Sequence, residues 1–318
     1  MKQFLNNLVN LPVAVAGLAL GTAGLGGVLA IEVHPAFRYI CAAIAIMLLV
    51  MILMKKLKHP KVILSEISHP VMGSFIPAFD MTLMIIADIL TNFSLISGQI
   101  LWLIAIALHA IFAISFFYHR AKDFDINHML PSWFVPPVGI VVACVTSTHM
   151  GFPELTHTIF YIGFILYLIM LPIMMYRLIF GDAIKDPQLP AFAVLGAPAS
   201  LCLAGYLTGF AIPNPIIVDF LLAIALMMTF LVYLSCFRIN FFRISFIPIY
   251  ASYTFPLSIG ATALVKYSRY VGLDTPEGQF WNYLALFEMC IATIAVVLIL
   301  TYMLKFIMRN VFFAHKHN

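Results

Sequence analysis

The sequence predicts an all-α membrane protein with ten transmembrane helices, arranged as five tandem helical hairpins. The hairpins are expected to have quasi-five-fold symmetry, with an inner ring of five kinked helices around a central pore. Of the 318 residues, 63% are hydrophobic and only 9% are charged, whereas soluble domains carry about a quarter of charged residues. Apolar runs of about 20 residues, the length that a membrane helix needs, recur along the chain. Prolines recur at a nearly constant interval, which indicates tandem structural units.

Ten apolar runs define the predicted spans. They cover residues 12–31, 35–55, 71–92, 97–118, 132–150, 155–179, 190–211, 215–237, 245–267 and 279–308. Each run is continuous, whereas the strands of a membrane barrel alternate apolar and polar residues, so we expect helices. The loops between the runs are short, which predicts a single transmembrane channel or transporter domain over residues 1–318.

The distribution of lysine and arginine predicts the orientation of the chain. With ten spans, both termini and the loops after even-numbered spans share one side of the membrane. That side holds fourteen of the 17 lysines and arginines, and the other side holds only Arg38, Lys266 and Arg269. Because cytoplasmic loops carry the excess of positive charge, we expect both termini in the cytoplasm of a multi-pass inner-membrane protein.

Prolines at a regular interval mark a fivefold repeat. One stands at or near the start of each odd-numbered span, 58 to 61 residues after the previous one: Pro12, Pro70, Pro131, Pro190 and Pro248. A second proline follows in three of these spans, at Pro77, Pro198 and Pro256. The fifth span has Pro136-Pro137, and the first is instead rich in glycine and alanine, around Gly17, Gly21, Gly24, Gly26 and Gly27. Each repeat is therefore predicted to be one helical hairpin.

The prolines also indicate which helices face the centre. A proline inside a helix leaves a backbone carbonyl without its N–H partner, and inside a membrane that carbonyl needs another partner. We therefore expect the five odd-numbered helices to be kinked, parallel and gathered around a central path, with the even-numbered helices facing lipid. Membrane helices also tolerate isolated prolines, but five at regular spacing fit that explanation poorly.

The ninth span carries the most informative pattern. Ser252, Phe255, Ile259, Thr262 and Lys266 are three or four residues apart, so they share one helical face. This face is partly polar and ends in a cation at the predicted outer mouth. One hypothesis is that the Phe255 ring plugs a central path that smaller side chains line elsewhere. The alternative is a phenylalanine packed in the core, in a chain that has 28 of them.

Asp80 lies about nine residues into the third span. Acidic residues deep in a membrane are costly and usually functional. On a pore-facing helix, Asp80 would relay protons or shape ion selectivity. The alternative is a buried, protonated carboxyl group that bonds to a neighbouring helix.

Catalytic and cofactor-binding patterns are absent from the sequence. The five cysteines are scattered through apolar runs without a C-x-x-C pair, so we expect neither a metal site nor a disulfide framework. A bis-histidine haem needs two facing histidines at mid-membrane depth, and only His109 has that depth. No H-E-x-x-H, G-x-S-x-G or Walker A pattern occurs. We therefore expect no enzyme activity, no cofactor, no metal and no nucleic-acid partner.

Four segments in order along the chain resemble one known family. They are Leu11-Pro-Val-Ala-Val-Ala-Gly-Leu-Ala-Leu-Gly21, His69-Pro-Val-Met-Gly-Ser-Phe75, Asp186-Pro-Gln with Ala197-Pro-Ala, and Tyr253-Thr-Phe-Pro-Leu257. The pattern resembles the tellurite-resistance/dicarboxylate transporter family. That family includes bacterial tellurite-resistance channel proteins, fungal malate and sulfite transporters and plant slow-type anion channels. The resemblance covers essentially the whole chain.

The resemblance implies a function as well as a fold. It implies a homotrimer with one pore in each subunit, permeable to small inorganic or carboxylate anions. It also implies that the phenylalanine matching Phe255 gates the pore, and that the glycine matching Gly17 lets the first helix approach the lumen. We therefore expect a passive anion channel whose weak selectivity follows the dehydration cost of the anion. The alternatives are a proton-coupled carrier of C4-dicarboxylates such as malate or of sulfite, with Asp80 as its proton site, and a membrane sensor or scaffold without transport.

Overall fold

The computed structural model describes residues 2–238 and 245–313, without the side chains of Lys2 and Arg238. The regular secondary structure within these ranges is helical throughout, so the expected all-α fold class is confirmed. Arg243 and Lys316, which count among the cations predicted to be cytoplasmic, lie outside the described residues.

Ten helices form the body of the described chain. They are α1 Val15–Glu32, α2 Ala36–Lys58, α3 Met72–Leu90, α4 Leu95–Lys122, α5 Pro131–Val145, α6 Pro153–Phe180, α7 Asp186–Gly209, α8 Pro215–Arg238, α9 Thr254–Val271 and α10 Pro276–Ile307. Two short helices, Lys2–Asn7 and Pro60–Ser68, precede α1 and α3. The bounds differ most from the prediction at α5, which ends before residue 146, and at α9, which begins only at Thr254.

Eight of the ten helices are long and apolar enough to cross a membrane. They support a multi-pass membrane protein. Among the described helices, α5 and α9 fall short of this standard. The α5 helix is too short, and α9 carries Lys266 and Arg269 together with several hydroxyl side chains. Because a membrane helix needs about 20 predominantly apolar residues, the count of ten spans stays a prediction.

The odd-numbered helices after α1 are broken, where the sequence suggested continuous but kinked helices. The α3, α5 and α7 helices consist of short helical pieces, and a 3₁₀ helix, Pro248–Tyr253, leads into α9. Pro77 caps the second piece of α3, whereas Pro198 and Pro256 lie in the first turn of an α-helical piece. The N–H groups of a first turn have no intrahelical partner, so proline is tolerated there. The expectation of kinks at these three prolines is therefore corrected to breaks between helical pieces.

The odd-numbered helices occupy the centre of the bundle. The α1 helix packs against α3 and α9, α7 packs against α5 and α9, and α3 contacts α5, so the five helices close a ring. Each even-numbered helix packs against the odd-numbered helix before it. Within the apolar segment of each helix, 67% or 83% of the residues are buried in α1, α3 and α7. In the even-numbered helices the buried share is only 22% or 39%. The exposed apolar faces therefore belong to the outer helices, where lipid would cover them.

Buried cations at the ends of α2, α4 and α6 bond to the chain just before the inner helix that precedes each of them along the sequence. Each cation donates a hydrogen bond to a backbone carbonyl in that stretch. The pairs are Lys55 with Leu11 O (2.7 Å), Arg177 with Asn127 O (3.0 Å) and Arg120 with Ser68 O. Because all three cations are buried, these bonds fix the start of each inner helix relative to the end of its outer partner.

Candidate functional site

Two cavities lie on the axis of the helix ring. The first, which we call the N-side cavity, lies between the N-terminal halves of the inner helices and has a volume of about 40 Å³. All five inner helices, with the 3₁₀ turn before α9, contribute to its wall, for example through Gly17, Met81, Phe134, Pro198 and Ser252. A volume of this size holds only a few water molecules.

The second cavity, the C-side cavity, lies between the C-terminal halves of the same helices and measures about 370 Å³. It is therefore wide enough for an ion with part of its water shell. Polar and charged side chains form much of its wall: Arg38, Asp88, Asn92, Thr146, Thr148, His149, Thr262 and Lys266.

Phe255 lies between the two cavities. It is 8% exposed and, together with Leu201, belongs to the walls of both. Its ring packs against α1 at Gly24, where a Cβ atom would lie 3.6 Å from Cδ2 and 3.8 Å from Cε2. Phe255 and Leu201 are the described side chains that the walls of the two cavities share.

The contact between α1 and α9 holds the segment that carries Phe255. The hydroxyl groups of Thr254 and Ser258 donate to the backbone carbonyls of Gly17 and Gly21, each at 3.1 Å. At Gly21, an added Cβ would overlap the Thr254 side chain and lie 2.6 Å from its backbone carbon. At Gly17, the nearest atom would be 3.9 Å away. Gly17 lines the N-side cavity, whereas the close approach of the two helices depends on Gly21, which the sequence offered only as one of several glycines in the first span.

The sequence-predicted residues on the N-side are only partly brought together. Pro198, Pro256 and Ser252 line the N-side cavity, whereas Pro77 is not part of either cavity wall. Ser252 contributes the one polar side chain among the residues described there. Its hydroxyl oxygen is buried and has no hydrogen-bond partner among the described residues. The N-side cavity therefore has an apolar wall with a single available hydroxyl group.

Charged groups cluster at the far end of the C-side cavity. Thr262 and Lys266 both line it, on the same face of α9 as Phe255. Arg38 forms an ion pair with Asp88, and His149 Nδ1 lies 3.8 Å from Asp88 Oδ1. The sequence placed Arg38 and Lys266 on one side of the membrane, Asp88 nearer that face and His149 near the end of a span, but it did not predict that these four side chains would meet.

Asp80 lies outside the walls of both cavities. Its side chain is fully buried, and Oδ1 lies 2.5 Å from His109 Nδ1 on the outer helix α4. His109 Cε1 would be 2.9 Å from a Cβ on Gly139, a residue of the N-side wall. About one residue therefore separates the Asp80 carboxyl group from the N-side cavity. Asp80 is a buried carboxyl group that bonds to a neighbouring helix.

The hydrogen bonds of His109 fix the number of protons in this pair. His109 Nε2 lies 2.9 Å from the carbonyl oxygen of Pro136, which can only accept, so Nε2 carries a hydrogen. One further proton lies between Nδ1 and Asp80 and belongs to either group. In both arrangements the pair has no net charge, so Asp80 does not present a net negative charge to a passing anion. The same imidazole also supplies a donor to a carbonyl in the broken helix α5.

Comparisons with known proteins agree with a transport function. The sequence profile of the SLAC1 family, described as voltage-dependent anion channel, matches residues 10–304. Two proteins of Methanocaldococcus jannaschii, both described as uncharacterized transporters, are 28% identical over 43% of this chain and 25% identical over 40% of it. The matched segments span only 44% and 41% of those relatives. Because the family profile covers nearly the whole chain, with five helices around two axial cavities inside the matched range, the protein belongs to the SLAC1 family of voltage-dependent anion channels.

Proposed function

We propose that this protein is a passive anion channel of the inner membrane, with a pore through each protomer that Phe255 occludes. The observation that carries the proposal is the position of the Phe255 ring, between two cavities whose walls come from all five inner helices. In this proposal all ten helices span the membrane as five hairpins, and α5 and α9 are shielded from lipid by their neighbours. The N-side cavity faces the cytoplasm, as do both termini.

The chemistry of the walls favours a channel with weak selectivity. The N-side cavity offers a passing ion one free hydroxyl group, on Ser252, and no charged side chain. An anion there must leave most of its water without a compensating cationic site, and transfer of an unpaired charge from water is costly. Anions that lose water easily should therefore pass best once the ring has moved.

The Asp80–His109 pair favours a second candidate, a proton-coupled carrier of C4-dicarboxylates or sulfite. The pair holds a proton near the pore wall, and a helix movement that separated the two groups would change how tightly it is held. Against this candidate, neither group lines a cavity, so a transported anion would not meet the proton directly.

Current recordings on Phe255→Ala test the channel directly. The wild type and the variant are reconstituted into the same planar membranes, with chloride and malate in turn. Removing the ring joins the two cavities, so we expect a large, non-saturating anion current in the variant and little current in the wild type. Phe160→Ala is the matched control, because Phe160 is a fully buried phenylalanine that lines neither cavity. Losing a core ring costs about 3–5 kcal/mol, yet that variant should stay closed.

Asp80→Asn separates the channel from the carrier. An asparagine at this position still donates a hydrogen bond to His109, but it no longer takes up a proton. A channel keeps its anion current in the Phe255→Ala background when Asp80 is replaced. Saturable malate or sulfite uptake that is driven by a proton gradient and abolished by Asp80→Asn would instead establish the carrier. A closed Phe255→Ala variant would refute the plug.

We also propose that the protein is a homotrimer with three independent pores, as its resemblance to the family implies. Native mass spectrometry from lipid nanodiscs tests this, and a monomer at working concentration would contradict it.

A further inference from the structure

One cation in the C-side cavity, Lys266, feels the charge of Asp88 without forming an ion pair with it. Lys266 is half-buried and lies at the end of the α9 face that also carries Phe255 and Thr262. The other charged side chains in this region are paired, since Arg38 bonds to Asp88 and Arg269 bonds to Glu32 at 3.0 Å. Within residues 2–238 and 245–313, Lys266 forms no ion pair.

The balance of charge in the cavity is therefore positive. Among the described residues its wall contains one carboxylate, Asp88, which the two basic side chains of Arg38 and Lys266 share. One positive charge remains uncompensated, before any charge on His149 is counted. A half-buried cation of this kind is stabilised by an anion that enters the cavity from water.

We propose that Lys266 is an anion-binding site that receives a small monovalent anion, such as chloride or nitrate, before it reaches Phe255. The proposal rests on the proposed channel function and adds to it the location of the site and the charge of the permeant ion. A single uncompensated cation neutralises a monovalent anion, whereas a dianion would keep one charge and lie close to Asp88.

The N-side cavity supports the same assignment. It measures about 40 Å³, and Ser252 supplies the one polar side chain described in its wall. An anion that continues past the ring must leave most of its water, and the Born cost of leaving water rises with the square of the ionic charge. A dicarboxylate therefore faces a much higher barrier than chloride.

The proposed anion site at Lys266 also lies well away from the Phe255 ring. Lys266 follows Phe255 by eleven residues, which is about 16 Å along the axis of an α-helix. The C-side cavity, about 370 Å³ in volume, has room for an anion that keeps part of its water shell. Lys266 therefore concentrates anions at one end of the pore without removing all of their water.

Two variants at the same end of α9 test the site. Lys266→Gln and Arg269→Gln each remove one positive charge, but only Lys266 lines the cavity, whereas Arg269 is paired with Glu32. Chloride binding to each purified protein is measured by the broadening of the chloride-35 NMR line, which needs no open pore. Chloride current is measured from 10 mM to 1 M in the Phe255→Ala background. Lys266→Arg keeps the positive charge. Parent-like behaviour of this variant would show that the protein still folds when position 266 is substituted.

We expect Lys266→Gln to abolish the specific line broadening and to lower the current at low salt. The loss should be about fivefold, the value for one unit charge at about 4 Å in water. It should shrink towards 1 M salt, where the screening length falls to about 3 Å. Arg269→Gln and Lys266→Arg should stay within twofold of the parent. Nitrate should displace chloride at lower concentration than malate.

Three results would overturn the proposal. They are unchanged chloride binding in Lys266→Gln, an equal loss in Arg269→Gln, and displacement of chloride by malate more readily than by nitrate. A closed Phe255→Ala variant whose line broadening still depends on Lys266 would leave this site standing and refute the channel instead.

Discussion

Replacing Gly21 by alanine tests the close contact between α1 and α9. A second glycine-to-alanine change in the same helix removes the effect of helix propensity from the comparison. A methyl group at position 21 would meet both the side chain of Thr254 and its backbone carbon, the latter at 2.6 Å. A side chain can rotate away, but backbone cannot, so α9 must shift. The shift strains the hydrogen bond from Thr254 to the Gly17 carbonyl. Because Phe255 is the next residue, the ring must move with it.

Gly27→Ala is the matched control for this variant. Gly27 lies in the same helix, and an added Cβ there would have no atom within 4 Å among the described residues. Both substitutions replace glycine by alanine within α1, so the change in helix propensity, about 1 kcal/mol, cancels in the comparison. What remains for Gly21→Ala is overpacking, about 1–3 kcal/mol, and one weakened hydrogen bond, about 1 kcal/mol. We therefore expect Gly21→Ala to be less stable than Gly27→Ala by about 2–4 kcal/mol.

Unfolding by sodium dodecyl sulfate in mixed micelles, followed by circular dichroism, measures the difference between the two variants. Equal stability of Gly21→Ala and Gly27→Ala would refute the close approach of α1 and α9. As a second readout, a shifted ring should raise the basal anion leak of Gly21→Ala above that of Gly27→Ala in reconstituted membranes.

Two further predictions concern groups at the N-terminal side of the bundle. Lys55→Met leaves Glu66 buried without the ammonium group that lies 2.5 Å away, so we expect a loss of about 3–5 kcal/mol. The double variant Lys55→Met/Glu66→Leu should be more stable than Lys55→Met alone in the same unfolding assay, and a less stable double variant would contradict the pairing. His69 Nδ1 accepts two backbone N–H groups at the start of α3. Its partial burial, with Arg120 and His128 nearby, lowers its pKa from the usual 6.5. A lowered histidine pKa stabilises the fold above pH 6.5, and that contribution is lost as the pH falls below it. The protection factors of the amide hydrogens in residues 71–75, which compare exchange with the intrinsic rate at the same pH, should therefore fall below pH 6.5 in the wild type but not in His69→Asn. An equal fall in both would exclude this cap.

Much of the fold was predictable because its signals are local or periodic. The continuous apolar runs gave the helical class and the membrane environment, and helix bounds followed within a few residues for most elements. The regular prolines also marked the elements that close the ring. The breaks at Pro77, Pro198 and Pro256 were misread as kinks, because the sequence does not show whether a proline continues a helix or begins a new piece of one.

The candidate site was predictable where it depends on one helix. Spacing along α9 put Phe255, Thr262 and Lys266 on one face, and the structure places all three in the wall of the C-side cavity. Asp80 shows the limit of this reasoning. Its depth in α3 was correct, but the rotation of α3 about its axis directs the carboxyl group towards His109 and away from the cavities.

The sequence by itself determined that this chain is an all-helical membrane protein of the anion-channel family, because hydropathy, repeat spacing and family motifs are properties of neighbouring residues. Only the tertiary structure decided which groups meet. Asp80 and His109 are 29 residues apart, and Thr254 and Gly17 are 237 apart. Such pairs depend on how each helix is rotated and how closely two backbones approach. Packing of the whole ring sets both quantities, and they decide that Phe255 belongs to the walls of both cavities and that Lys266 lines the C-side cavity.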